Sequence, residues 1–348
     1  MHHDRILFSI TSLMQGGAER WCSDLAQALR ARGAHVAVVT TYDGLFHKEL
    51  TGAGIPVTRI RGALFRYDPV WWIRYIRAVR KFQPTVIIGA LWIGNSAARI
   101  VGALLRIPTI LTLHAQQAHE GIVRTALDRI LSILPGHRVA VSPQIVGADS
   151  IIENGIDLSR IPVKKNYTLT KEFRILCVGR LVPVKRFDRA IEAVAALRKE
   201  GIPIVLDSIG DGPLRRLLAE KIHALNLEDS VRLLGQQDAA PYYAEADCFL
   251  QTSDSEGLSL ALLEALAAGL PAVVTHTNFT HPVITHDETG SIALLPDPHA
   301  MICDALKRLY GDTLLRKELG QQAQRLVRMR YGHERMIEKY CTLIQSVQ

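Results

Sequence analysis

Short runs of β-branched and aliphatic residues alternate along the chain with longer stretches whose apolar positions recur every three or four residues. The short runs suit buried strands and the longer ones suit helices with one apolar stripe. In the first half, strands are expected at 5–11, 35–40, 86–89, 109–113 and 137–141. Helices are expected at 18–31, stopped by Gly33, and at 75–81. The alternation restarts with a strand at 173–178, a helix at 187–199, and strands at 204–209, 231–234 and 247–251. Helical stretches follow Pro298, the last at 333–348. Such alternation builds parallel sheets with helices on both faces, an α/β architecture. A chain of 348 residues has room for two domains of this kind. The linker character of 162–172 places their boundary there, giving domains 1–165 and 166–332 and a final helix 333–348.

One stretch breaks the amphipathic rule. From Ser259 to Ala268 a helix is expected that is apolar on nearly every face, capped by Ser259 and ended by Gly269 and Pro271. A helix apolar all round belongs in an interior. Yet Glu264 sits in its middle and Glu256 just before its first turn. A buried carboxylate costs several kcal/mol unless it is paired. A structural ion pair with an arginine is one explanation. The other is a ligand: Gly257 lets backbone amides approach closely, and a helix start attracts anions. Eight residues of helix span about 12 Å. Two glutamates that far apart, flanking an anion site, suit a nucleoside diphosphate sugar, with ribose hydroxyls, pyrophosphate and sugar hydroxyls in that order.

Glu256, seven residues, Glu264, then Ala268-Gly269-Leu270-Pro271 resembles the motif of the retaining glycosyltransferases of family 4. That resemblance implies the GT-B fold: two Rossmann-like doubly wound domains facing across a cleft, with the C-terminal helix crossing back to the N-terminal domain. It covers most of the chain, strongly over 173–295 and weakly over 1–150. It also gives meaning to residues that alone are weak. Arg180 and Lys185 lie in a strand-to-helix loop, one a planar fork and one a point charge. By resemblance they neutralise the departing diphosphate. Gly16 and Gly17 form the first strand-to-helix loop with Gln15, and Gly235-Gln236 is similar to the loop that cups the nucleobase. Gly210 opens a Gly-Asp-Gly-Pro turn. It is no dinucleotide fingerprint, because Arg215 stands where the third glycine would fall. His114 aligns with a histidine near the donor sugar, with His119 a weaker neighbour, and Asn154-Gly155-Ile156-Asp157 matches a segment before the linker. Glu19 reads as a helix-start residue. Where relatives have Glu-Gly-Phe-Gly, this chain has Glu256-Gly257-Leu258-Ser259, so contacts to the donor would differ in detail.

The expected activity is transfer of a sugar from a nucleotide sugar, UDP-linked before GDP-linked, to a saccharide or lipid-linked acceptor. His114, Arg180, Lys185 and Glu256 would act at the reaction centre. Gly16, Gly17, Gly210, Gly235, Gln236, the Glu256–Ser259 turn and Glu264 would hold the donor. In relatives the leaving phosphate itself takes the acceptor proton. Cationic side chains stand where a metal-binding Asp-x-Asp would otherwise be, and no cofactor or metal is expected. A nucleotide-sugar epimerase, or a non-catalytic sugar-nucleotide-binding partner protein, are the competing readings; a phosphorylase would need a longer chain and a pyridoxal lysine.

Charge and composition add location. Residues 1–166 hold 20 of the 41 Lys and Arg but only 11 of the 34 Asp and Glu, so the first half is basic and the second slightly acidic. Seven of those cations lie in 59–82 with Phe65, Trp71, Trp72 and Tyr75. Arg66, Trp71, Trp72 and Arg74 could meet an acceptor or an anionic membrane surface; an amphipathic core helix with a charged outer face explains the same pattern. No nucleic-acid motif accompanies them. Five scattered cysteines without a C-x-x-C pair suit reduced thiols. With no apolar run long enough to span a bilayer, a cytoplasmic protein is expected, bound at most to the inner face of the membrane, in cell-surface polysaccharide or lipopolysaccharide assembly.

Overall fold

The computed structural model describes residues 4–14, 16–63, 68–114, 122–277 and 283–348. The chain forms two compact units, one of Met1–Asn154 with Glu334–Gln348, the other of Gly155–His333.

The first unit is built on a parallel sheet of β1 (Arg5–Ser12), β2 (His35–Tyr42), β3 (Val57–Arg59), β4 (Val86–Ala90), β5 (Thr109–Leu113), β6 (His137–Ala140) and β7 (Ser150–Ile151), in the order β3-β2-β1-β4-β5-β6-β7. The second has β8 (Phe173–Val178), β9 (Ile204–Ile209), β10 (Val231–Gly235), β11 (Cys248–Gln251), β12 (Ala272–Thr275) and β13 (Ser291–Ala293), ordered β10-β9-β8-β11-β12-β13 and again parallel. Both sheets are doubly wound. The strand order reverses between β1 and β4 in one and between β8 and β11 in the other. Crevices outside the carboxyl ends of strands at such reversals are where ligands bind in these folds.

The strands are aliphatic on both faces because helices cover both. Val86, Ile87 and Ile88 are fully buried in β4, and Ile204 to Ile209 are buried throughout in β9. The helix expected at 75–81 begins earlier, at Pro69. Asp68 caps it by accepting from the Trp71 amide, and Pro69 fills a first-turn position where its missing N–H costs nothing. The strands expected at 109–113, 173–178 and 204–209 form with those bounds and the others differ by one or two residues at one end, whereas the helix Leu91–Leu105 has no counterpart among the expected elements.

The C-terminal helix His333–Val347 returns to the first unit. Met336, Ile337, Tyr340 and Ile344 are buried on one face, and Tyr340 packs 5.6 Å from the Trp21 ring. The division between units falls ahead of 162–172, where it was expected. That stretch is fastened to the second unit. Lys164 is buried and donates to the Ala246 carbonyl at 2.6 Å, and Tyr167 donates to the Gly269 carbonyl at 2.8 Å. The fully buried Arg316 donates to the Tyr167 carbonyl at 2.7 Å. Polar residues read as a linker are here partners of buried backbone, and that role has no local pattern. Among the described residues no helix is long and apolar enough to cross a membrane.

Candidate functional site

At the reversal point of the second sheet, the loop after β8 meets the loop after β11. The first carries Arg180 and, in a short 3-10 turn at Pro183–Lys185, Lys185. The second runs from Thr252 into the helix Leu260–Ala268. Lys185 Nζ lies 2.5 and 2.7 Å from the two carboxylate oxygens of Glu256. The Glu256 side chain is only 8% exposed, that of Lys185 25%. Ser253, buried, donates to the same carboxylate at 2.6 Å, and Thr275 donates to the Ser253 carbonyl at 2.5 Å. The buried acid inferred from sequence is therefore real, and its partner is a lysine at the carboxyl end of the neighbouring strand. Three N–H donors sit on an ammonium, so Lys185 can serve the carboxylate and an incoming anion together.

Around this pair the two loops are tied to each other. Thr252 Oγ1 donates to the Arg186 carbonyl at 2.8 Å, and the Asp254 amide to the Val184 carbonyl at 2.9 Å. Arg189 reaches both the Thr252 carbonyl at 3.2 Å and Asp254 at 2.5 Å. Arg186 pairs with Asp188, whose carboxylate holds the guanidinium proton more tightly than usual. Arg180 contrasts with all of these. It is exposed, and its side chain has no hydrogen-bond or ion-pair partner among the described residues.

The helix start behaves as expected. Ser259 Oγ accepts from the Leu262 amide at 3.3 Å, and Gly269 ends the helix in the left-handed region at φ 87°. Gly257 and Ser259 are half-buried and Leu258 is buried in the core. Glu264 is half-buried on this helix and accepts from Tyr243 Oη at 2.8 Å. Burial first, and then the Glu264 carboxylate, push the Tyr243 phenol well above its usual pKa, so it remains a donor. Glu256 of the motif is thus paired with a lysine and not with an arginine.

The glycines near this crevice have steric reasons of their own. A Cβ on Gly210, whose φ is +132°, would stand 2.0 Å from the Gly179 carbonyl oxygen. Gly235 also has positive φ and accepts from the Gly210 amide at 2.8 Å. Close backbone approach at the ends of β8, β9 and β10 thus requires Gly210 whatever binds there. Gln236, next in the chain, is exposed.

In the first unit, Gly16 is the N-cap of the helix Gly17–Ala31. Glu19 lies in its first turn, buried, and accepts from Ser12 Oγ at 2.6 Å, the helix-start role expected of it. His114 follows β5 directly. Its ring packs edge-on 4.8 Å from Trp21, and Nε2 is buried without a hydrogen-bond partner among the described residues. Burial lowers its pKa to about 3, so the imidazole is neutral near pH 7. Gln15, Phe65, Arg66 and His119 lie outside the described residues.

The surface reading of Trp71 is corrected. Trp71 is 2% exposed, stacks 5.3 Å from Tyr75 and donates its indole N–H to Thr41 at 3.2 Å. Residues 71, 75 and 79 recur at helical spacing and face the core. Trp72 is half-buried against the same cluster, whereas Arg74, Arg77 and Arg80 are exposed. The helix is amphipathic, with its aromatic residues turned inward.

Sequence reasoning missed Ser253, Tyr243 and the Arg189–Asp254 clasp. Ser253 had a signal, three residues before Glu256; the others come from different elements. Among the described residues no cluster of His, Cys, Asp or Glu could hold a metal ion. A carboxylate held between a lysine and a serine, on loops that also carry a helix start and an arginine with no side-chain partner among the described residues, can bind hydroxyls and phosphate oxygens together.

Comparison with known proteins bears on the same two units. A model described as glycosyl transferases group 1 matches residues 161–326, and one described as glycosyl transferase 4-like domain matches 16–155. The lipopolysaccharide core biosynthesis glycosyltransferase LpsD of Rhizobium meliloti is 28% identical over 94% of this chain and 95% of its own length. The N-acetyl-alpha-D-glucosaminyl L-malate synthase of Bacillus anthracis is 30% identical over 53% of this chain, which spans about half of that relative (49%). Among solved structures, Anabaena HepE in complex with UDP-glucose superposes with a TM-score of 0.86 at 20% identity, covering 99% of this chain and 100% of that one. At that identity the likeness speaks for the fold. With both halves matched in order and both sheets wound as the fold requires, the chain belongs to the glycosyl transferases group 1 family and has the GT-B fold.

Proposed function

We propose that the protein is a retaining, metal-independent glycosyltransferase that moves a sugar from a nucleoside diphosphate, UDP before GDP, to a saccharide or lipid-linked acceptor. Cell-surface polysaccharide or lipopolysaccharide synthesis on the cytoplasmic side of the membrane is the setting, in keeping with LpsD. The observation that carries the reading is the Lys185–Glu256 pair at the reversal point of the second sheet, on the same loop as Arg180, whose side chain has no partner among the described residues. The diphosphate would lie against Arg180, Lys185 and the amides of Gly257 to Ser259. Glu256 would accept from sugar hydroxyls and Glu264 from ribose hydroxyls.

Transfer breaks the bond between the anomeric carbon and the diphosphate oxygen, and the acceptor oxygen bonds the same face of that carbon. The acceptor proton passes to the leaving phosphate oxygen. Negative charge grows on the diphosphate as the bond breaks, and fixed cations and amides placed there lower the barrier. Neutral His114 would donate or accept a hydrogen bond without carrying charge.

Incubation with UDP- and GDP-sugars and a panel of saccharide and lipid-linked acceptors tests this. Acceptor-dependent release of free nucleotide, with the donor's anomeric configuration kept in the product by NMR, is expected. It should be unchanged by EDTA. Release of nucleotide and a rearranged sugar without acceptor, or loss of turnover in EDTA restored by magnesium, would contradict it.

A further inference from the structure

The first unit contains a cavity of about 430 Å3 that none of the residues discussed above line. It lies between β5, β6 and the helices Leu91–Leu105 and Ile122–Leu131. Its size is in the range of small-molecule sites. Leu111, Leu113, Leu131 and Ile145 give it an apolar floor.

The polar groups on its wall are unequally satisfied. Arg138 forms a two-point pair with Asp149, the closer contact at 2.8 Å. Asp128 accepts from the Trp92 indole at 2.7 Å through Oδ1, while its Oδ2 and Asn95 Oδ1 are buried without a hydrogen-bond partner among the described residues. Arg99 donates only its Nε, to the Leu134 carbonyl at 3.0 Å; its terminal nitrogens have no partner among the described residues. Burial, and next the neighbouring Arg138, weaken the hold of Arg99 on its proton, while Asp149 and Asp128 nearby strengthen it. A planar guanidinium with its fork unused fits a phosphate or carboxylate.

One wall of the cavity adjoins exposed aliphatic side chains. Val146 lines it and is 80% exposed. Leu127 precedes the lining residue Leu131 by one helical turn and is 41% exposed, with Ile130 and Ile133 at 62% and 84% nearby in the chain. Exposed apolar surface beside a cavity marks a binding site where it is contiguous.

We propose that this cavity binds an anionic amphiphile, its phosphate or carboxylate on Arg99 and its hydrocarbon chain leaving past Leu131 and Val146. That the amphiphile is the acceptor, or part of it, rests on the transferase reading; the binding itself does not.

The test is equilibrium dialysis of the full chain against decyl phosphate below its micelle concentration, with decanol and inorganic phosphate as half-ligands. Decyl phosphate should bind one to one and at least about tenfold more tightly than either half-ligand. Arg99→Gln should weaken it about tenfold, the scale of one charged hydrogen bond. Val146→Asp, a change on the surface, should weaken it several-fold without unfolding. Binding equal to wild type in both variants, inorganic phosphate binding as tightly as decyl phosphate, or no binding at all would overturn the proposal. UDP and GDP thermal shifts on the same samples separate the two readings. Arg99-dependent amphiphile binding without any nucleotide shift would leave this site standing and remove the transferase. A nucleotide shift with no Arg99 dependence would do the reverse.

Discussion

The two units wind the same topology, yet the crevices at their reversal points are chemically unlike. In the second, a buried carboxylate is held by Lys185 and Ser253, with Arg180 unpartnered nearby. In the first, Glu19 is answered by Ser12 and Tyr75 by Ser9, and the described residues of the loop offer no comparable pair. The difference teaches that the doubly wound sheet supplies the place but not the chemistry; side chains on the loops decide which crevice takes an anion.

The sharpest way to break the comparison is to remove the cations. Lys185→Ala should lower turnover at least about 100-fold, the scale for losing one transition-state donor. It should also cost roughly 2 kcal/mol of stability, because Glu256 is left buried with only the Ser253 hydroxyl to offset its charge, while Lys185 was itself partly solvated. Arg180→Ala should lower turnover similarly but leave stability within about 0.5 kcal/mol, since nothing in the fold rests on it. Chemical denaturation alongside kinetics separates the two. Equal stability losses would mean that Arg180 is structural.

Glycines give the next contrast. Gly210→Ala drives a Cβ into the Gly179 carbonyl at positive φ and should cost about 2–3 kcal/mol. At Gly16 the added Cβ meets Glu19 Oε2 at 2.3 Å, the tip of a side chain that can swing, and φ is extended. Gly16→Ala should cost less than about 1 kcal/mol. Melting curves of the two variants check the order.

A further contrast concerns acid. His114 has its folded pKa lowered to about 3 by burial, below the unfolded value near 6.5. Between those values the unfolded chain binds the proton and the folded chain does not, so this group makes stability fall as pH drops from 6.5 toward 3. His114→Gln should flatten that part of the stability–pH curve. An unchanged slope would place the ring in water.

Much of this was legible in advance because it is local. The apolar helix, its Ser259 cap and its Gly269 stop are written in one short run from Ser259 to Gly269, and so is the oddity of Glu264 within it. The Lys185–Glu256 pair spans 71 positions, and no spacing rule reaches that far. Trp71 was ambiguous because a Trp beside arginines reads equally as interface or core; only the register with Tyr75 and Val79 decides it. The 162–172 stretch looked like a linker because polar residues that bind distant buried carbonyls look like solvated ones. The amphiphile cavity was invisible for a similar reason: Arg99, Leu131 and Val146 come from three separate segments.

The most direct measurement is isothermal titration of UDP, GDP and their sugars into the full chain and into Arg180→Ala. One nucleotide series should bind the wild type, and the variant should bind it about tenfold less tightly. Equal affinity in both proteins, or no binding by either series, would contradict the assignment of the diphosphate to the second sheet's reversal point.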